Sequence, residues 1–194
     1  MSPTNPAAPT GLSFAIEFLP AASSADAGVV ATITELVNRV YATSEDGLWI
    51  EGARRTTEVE VAAIIRRGEI AAATSEGVIV GSVRIQRLDA ATGEFGMLAA
   101  DPERRGLGIG RELVAFAEEW ARHRGLTSMQ LEVLTPRAWS HPAKVFLMQW
   151  YERTGYRHVR TGALDEAHPA LAQLLATQCD YVVYRKDLAA LRIV

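Results

Sequence analysis

The alternation of apolar and polar positions along the chain predicts short strands and amphipathic helices in turn. Residues 12–19 form a strand that Pro20 ends, because proline lacks the backbone N–H that a sheet ladder needs. Residues 27–41 carry apolar side chains at helical spacing and predict a first helix. Residues 58–67 predict a second helix, which Gly68 ends.

The second part of the chain begins with a hairpin, because strand patterns flank the turn residues Glu76 and Gly77. The strands of the hairpin are 70–74 and 78–88. The later strands are predicted at 94–100, 127–134, 156–161 and 180–187. The later helices are predicted at 109–124 and at 140–154, the second with Ser140 as its N-cap. The order is therefore βααβββαβαββ. The helix at 109–124 is expected to connect two parallel strands.

Composition and charge narrow the class of protein. The 194 residues suit one domain, and a content of 48% hydrophobic and 22% charged residues is ordinary for a globular chain. The net charge of −3 argues against a nucleic-acid partner, and no apolar stretch approaches the ~20 residues that span a bilayer, so no membrane partner is expected. The single cysteine, Cys179, fits a reducing compartment, and we expect a cytoplasmic protein. The four histidines show no ligand spacing, so no metal is expected.

A basic, glycine-rich turn runs from Asp101 to Arg111, between an apolar strand pattern and an amphipathic helix pattern. Such a turn presents several backbone N–H groups together, and the helix N-terminus adds a partial positive charge. Gly106, Gly108 and Gly110 carry no Cβ, so an anion can approach the main chain closely. The stretch therefore predicts a phosphate site.

Two well-known phosphate motifs do not fit this turn. A Walker loop requires Gly-Lys-Ser or Gly-Lys-Thr, and the chain has only two lysines, Lys144 and Lys186. The dinucleotide fingerprint would need a third glycine at position 111, which is arginine. A nicotinamide-dependent oxidoreductase is therefore the weaker interpretation.

The segment Arg105-Gly106-Leu107-Gly108-Ile109-Gly110, with Leu98 to Pro102 before it, resembles the acyl-CoA pyrophosphate loop of the GNAT acetyltransferase superfamily. A second segment, Trp150 to Tyr156, resembles the late helix of that family, in which a tyrosine precedes a glycine and an aromatic residue. The element order is also that of the GNAT fold. This resemblance implies an α/β (α+β type) architecture: a single mixed, mostly antiparallel sheet of about seven strands flanked by about four helices.

The resemblance covers residues 12–188, which it implies to be one N-acetyltransferase domain. Residues 1–11, rich in proline, alanine and threonine, are expected to be a disordered tail, and residues 189–194 a C-terminal tail. The apolar end of the chain, residues 188–194, suggests a partner surface and a possible homodimer.

The resemblance implies acetyl-CoA as cosubstrate, with no metal. The backbone of the glycine loop would bind the pyrophosphate, and the strand before it would offer main-chain groups to the pantetheine arm. The residues implied in this way are Leu98, Ala99, Ala100, Arg105, Gly106, Leu107, Gly108, Ile109, Gly110 and Arg111.

Three residues are candidates for the chemistry. Tyr151 matches the family's general acid, since a phenol of pKa about 10 is protonated at neutral pH and can donate a proton to the leaving thiolate. Glu132 and Glu94 are the two candidate bases, and we favour Glu132, on the polar side of its strand. One departure from the family pattern is Lys144, at a position that is often asparagine.

The acceptor is expected to be a primary amine, either a small molecule or a peptide. Candidate acceptor-binding residues are Trp49 and Glu51 in the loop between the first two helices, and Trp139 and His141 in the segment before the late helix. The alternative function is a non-catalytic acyl-CoA-binding or interaction module that retains the fold.

Overall fold

The computed structural model describes residues 14–167 and 169–188, and its elements follow the predicted order. The strands are β1 (Ala15–Phe18), β2 (Ile70–Ser75), β3 (Val78–Arg87), β4 (Thr92–Ala100), β5 (Ser128–Pro136), β6 (Arg157–Ala163) and β7 (Cys179–Asp187). The helices are α1 (Ala27–Ser44), α2 (Glu58–Arg66), α3 (Ile109–His123), α4 (Pro142–Arg153) and the one-turn helices α5 (Leu164–Ala167) and α6 (Pro169–Ala172). The predicted tails lie outside the described residues, and the domain boundaries stay a prediction.

The seven strands form one sheet in the order β1-β2-β3-β4-β5-β7-β6. Strands β4 and β5 are parallel, and every other neighbouring pair is antiparallel. This confirms the mixed, mostly antiparallel sheet and the parallel strands joined by α3. No helix of the described residues is long and apolar enough to cross a membrane.

Helices cover both faces of the sheet, since alternate residues of β2 belong to different hydrophobic clusters. Ala71 and Ala73 pack with α3 and α4, whereas Ile70 and Ala72 pack with α1 and α2. The approach of α3 is close: a Cβ on Gly81 of β3 would lie 2.6 Å from a methyl of Ile109. Glycine at position 81 therefore allows the first turn of α3 to rest on the sheet beside the end of β4.

Three of the four long helices begin at a side chain that accepts a hydrogen bond from their first turn. Asp26 accepts from the N–H of Gly28 at 2.9 Å, and Thr57 caps α2 in the same way. The N-cap of α4 is His141, whose Nδ1 accepts from the backbone N–H of the second following residue at 3.2 Å. Ser140 is therefore not the cap, because the helix begins one residue later than its hydroxyl requires.

Candidate active site

Strands β4 and β5 pair only at their first three positions, Thr92 with Ser128, Gly93 with Met129 and Glu94 with Gln130. Beyond these positions each strand keeps its other neighbour and the two strands separate. Strand β4 also contains a bulge, where Met97 adopts a positive φ of 48° and the register with β3 shifts. The separation opens the sheet toward the glycine-rich turn.

A cleft of about 470 Å³ occupies the gap between the separated strands. Its walls come from β4 and β5, from the end of α1 and from α4. Tyr151, Glu132 and Glu94, the three predicted catalytic residues, all line this cleft. The fold therefore brings together side chains that are far apart in the sequence, although their roles stay predictions.

Tyr151 is held rigidly on the α4 side of the cleft. It is only 4% exposed, and its ring packs against those of Phe95 and Tyr156 with centroids 5.9 and 5.8 Å away. Burial, with a smaller contribution from Tyr41, raises the pKa of the Tyr151 phenol above its ordinary value. Within the described residues its hydroxyl has no hydrogen-bond partner, so it reaches the cleft protonated and available.

A second tyrosine in the cleft, Tyr41, was not predicted. It is half-buried at the end of α1, and its hydroxyl accepts a hydrogen bond from the backbone N–H of Leu98, next to the bulge of β4. Burial raises the pKa of Tyr41 to about 12, against an opposing effect of the Arg55 charge. In the sequence Tyr41 is one aromatic residue on an amphipathic helix, and nothing in its spacing distinguishes it from a core residue.

The two candidate bases have different surroundings. Glu94 is half-buried, and its carboxylate oxygens accept the side-chain amides of Gln86 at 2.6 Å and Gln130 at 3.4 Å. Glu132 is exposed and stands on the separated part of β5. Both side chains are carboxylates, but Glu132 lies beyond the last pair between β4 and β5, whereas Glu94 belongs to that pair.

An ion-pair network continues across the sheet from Glu94. Gln86 accepts a hydrogen bond from Arg84 at 2.7 Å, and Arg84 pairs with Glu69 at 2.9 Å. Glu69 also pairs with Arg67 at 2.8 Å. Partial burial raises the pKa of the Glu69 carboxyl, but the hydrogen bonds and charges of the two arginines outweigh it and leave that pKa below its ordinary value.

A buried ion pair closes the cleft between α1 and α4. Lys144 Nζ lies 2.6 Å from Glu45 Oε1, and the two residues are 4% and 3% exposed. The indole N–H of Trp49 donates to the other carboxylate oxygen at 2.8 Å. Lys144 therefore neutralises a buried carboxylate, a partner that its position in the sequence does not reveal.

The glycine-rich turn leads into the only long helix of the described residues without a side-chain cap. Its N-cap is Gly108 in the left-handed conformation, with φ of 76°, and Gly106 also has a positive φ of 84°. A Cβ on Gly106 or Gly110 would meet nothing within 4 Å. The first turn of α3 therefore has no side-chain cap and has open space beside its glycines, which is the arrangement that a phosphate requires.

The arginines of the turn differ in their partners. Arg104 approaches Asp101 at 3.9 Å and Arg111 pairs with its neighbour Glu112 at 3.1 Å. Arg105 is exposed and makes no ion pair within the described residues. Its charge is therefore the most available one beside the start of α3.

The remaining predicted cofactor-binding positions lie on β4, in the exposed turn or in the first turn of α3. Leu98 lines the cleft, whereas Ala99 and Ala100 pair with β3. Leu107 is exposed, whereas Ile109 is buried against the sheet and can contribute only through its backbone.

The four predicted acceptor-binding residues do not line the cleft. The ring of Trp139 packs against that of His141 with centroids 5.3 Å apart, and His141 Nε2 contacts the carbonyl of Asp46 at 3.1 Å. Trp49 lines a neighbouring cavity of about 490 Å³, and Glu51 is exposed. Their roles stay predictions; the contacts shown connect α4 to the loop after α1.

Among the described residues no group of acidic, histidine or cysteine side chains is placed to hold a metal.

Comparison with known proteins shows to which protein family the chain is related. The sequence profile described as the acetyltransferase (GNAT) family matches residues 35–163, more than half of the chain. No curated protein matches the chain significantly.

Solved structures match over most of the chain. PaiA N-acetyltransferase from Thermoplasma acidophilum, in complex with coenzyme A, has a TM-score of 0.66 and 16% identity, covering 90% of this chain and 99% of that chain. An IAA acetyltransferase from Bacillus cereus has a TM-score of 0.62 and 16% identity, with coverage of 90% and 99%. N-acetylglutamate synthase from Neisseria gonorrhoeae, complexed with coenzyme A and N-acetyl-glutamate, has a TM-score of 0.61 and 15% identity over 90% of this chain, which spans 35% of that protein. At these identities the likeness shows a shared fold.

Proposed function

Since the chain belongs to the GNAT acetyltransferase family, we propose that it transfers the acetyl group of acetyl-CoA to a primary amine by direct attack of the amine on the thioester. The observation that supports the proposal is the cleft between β4 and β5, which a buried tyrosine with a raised pKa and two carboxylates line. The named CoA complexes of PaiA N-acetyltransferase and N-acetylglutamate synthase support the choice of cosubstrate.

Binding of the cosubstrate would use the uncapped start of α3. Its first N–H groups would hold the pyrophosphate, Gly110 leaves room for it, and the free charge of Arg105 would add attraction. The main chain of Leu98, beside the bulge, would contact the pantetheine arm. If the backbone N–H of Leu98 binds the arm, its hydrogen bond to the hydroxyl of Tyr41 would have to break.

The chemical step forms a C–N bond and breaks the C–S bond of the thioester. The attacking nitrogen loses a proton, which Glu132 would accept through water, and the leaving thiolate gains one from Tyr151. We favour Glu132 over Glu94 because Glu132 stands on the part of β5 beyond its last pair with β4, where the two strands separate around the cleft. The raised pKa of Tyr151 keeps the phenol protonated for this role.

The experiment that tests this function is the release of CoA thiol from acetyl-CoA, measured with and without a panel of primary amines. The proposal expects release that depends on the amine and saturates with both substrates. The alternative, a non-catalytic acyl-CoA-binding module, expects CoA binding in a calorimeter but no amine-dependent release. A cytoplasmic location and a homodimer remain predictions from the sequence.

A further inference from the structure

Arg55 lines the cleft and lies in the loop between α1 and α2. It is half-buried, and its guanidinium carbon lies 5.2 Å from the centroid of the Tyr41 ring. Both residues also line the neighbouring cavity, so they stand between the two cavities. A ligand that enters the cleft from that cavity passes the guanidinium.

Arg55 lacks the acidic partner that other arginines near the site possess. Arg84 pairs with Glu69 at 2.9 Å, and Arg39 pairs with Asp101 at 3.0 Å. Within residues 14–167 and 169–188, Arg55 has neither a carboxylate partner nor a hydrogen-bond acceptor. The contact with the Tyr41 ring is a cation–π contact, which uses no N–H group as a hydrogen-bond donor, so the guanidinium donors stay available.

The opposite charge stands on the strand walls of the same cleft, at Glu94 and Glu132. The other cations of the lining are paired: Arg84 lies 2.9 Å from Glu69, and Lys144 lies 2.6 Å from the buried Glu45. Among the described residues that line the cleft, Arg55 is therefore the cation without an acidic partner.

We propose that Arg55 binds a carboxylate of the acceptor, so that the acceptor is an amine of the amino-acid type, carrying both an ammonium and a carboxylate group. This inference rests on the proposed function. The planar fork of arginine matches a carboxylate with two parallel hydrogen bonds, whereas it repels a purely cationic amine. The ammonium then faces the carboxylates of the strand walls, where it loses its proton.

The apolar part of the cleft lining suggests which amino acids to use as probes. Leu134, Leu164, Leu171 and Tyr181 line the cleft and belong to one hydrophobic cluster, which suits an apolar side chain. L-leucine and L-phenylalanine are therefore compared with their carboxamides, which have nearly the same shape and no negative charge.

The test measures kcat and KM of the wild-type protein and of Arg55→Gln with each acid and its amide. We expect the ratio of kcat/KM for acid over amide to fall roughly ten- to a hundredfold in Arg55→Gln, through KM, because a charge-assisted pair is lost. The different basicity of acid and amide cancels, since the comparison is between proteins. Arg55→Lys should retain part of the preference, because it keeps the charge without the fork.

The matched control is Arg54→Gln, an exposed neighbour that lines the outer cavity but not the cleft, and its ratio should equal that of the wild type. An unchanged ratio in Arg55→Gln, or turnover of polyamines but of no amino acid, would overturn the inference and leave the proposed function standing. Absence of turnover with every amine, despite CoA binding, would overturn both.

Discussion

Removing the hydroxyl of Tyr151 separates a catalytic tyrosine from a core tyrosine. In Tyr151→Phe the ring keeps its packing against Phe95 and Tyr156. Since the hydroxyl has no hydrogen-bond partner in the described part of the chain, its loss should change the free energy of unfolding by less than about 0.5 kcal/mol. The leaving thiolate would lose its proton donor.

The expected loss in kcat is about ten- to a hundredfold, or roughly 1.4–2.7 kcal/mol of transition-state stabilisation. This is the low end for general acid catalysis, because the thiol of CoA is a fair leaving group. The KM for acetyl-CoA should hardly change, since the hydroxyl is proposed to act at the leaving group. Steady-state turnover with any accepted amine, beside a melting curve, measures both quantities.

The control is the neighbouring Tyr156→Phe, which should show the opposite pattern. The hydroxyl of Tyr156 donates to the carboxylate of Glu118 at 3.0 Å and does not line the cleft. Its removal should lower the free energy of unfolding by about 1–2 kcal/mol, because the lost hydrogen bond involves a charged group, while kcat stays near the wild-type value. A Tyr151→Phe enzyme that turns over at the wild-type rate would refute the assignment of the acid.

The remaining predictions concern the loop, the base and acid stability. Gly110→Val should weaken CoA binding at least about tenfold in calorimetry without unfolding the protein. The control is Gly28→Val, at the same position of the capped helix α1, which should leave the affinity for CoA unchanged. A Gly110→Val protein with the wild-type affinity for CoA would refute the phosphate site. Glu132→Gln should lower kcat/KM about ten- to a hundredfold and Glu94→Gln less, and the reverse order would assign the base to Glu94. Folding lowers the pKa of Glu69, so its contribution to stability is present above about pH 4.3 and is lost as the pH falls through its folded pKa. In Glu69→Gln the free energy of unfolding should therefore fall less steeply as the pH is lowered into the acid range. An unchanged dependence on pH would contradict this.

Most of the fold could be predicted from local patterns of apolar and polar residues in the sequence. The strands and long helices lie within a few residues of their predicted bounds, and β6 does so although most of its residues are exposed. The end of β4 and the start of α3 were predictable for a second reason: the glycines at 106 and 108 adopt positive φ values that other residues rarely adopt.

The chemistry of the cleft depended on contacts that the sequence does not encode locally. The separation of β4 from β5 leaves no trace in either strand's periodicity, because both continue past their last shared pair. Lys144 and Glu45 are far apart in the chain, and only the folded structure shows that they form a buried ion pair. Arg55 resembles any other loop arginine until the structure shows its stacking on Tyr41 and the lack of an acidic partner in the described residues.

The most direct test of the proposed transfer is a single-turnover reaction with acetyl-CoA labelled with carbon-13 in the acetyl group and an accepted amine, analysed by mass spectrometry. Direct attack predicts that all of the label appears on the amine nitrogen, in an amount equal to the released CoA, while the mass of the protein never changes. Label found on the protein during the turnover, or recovered as acetate, would contradict direct transfer to the amine.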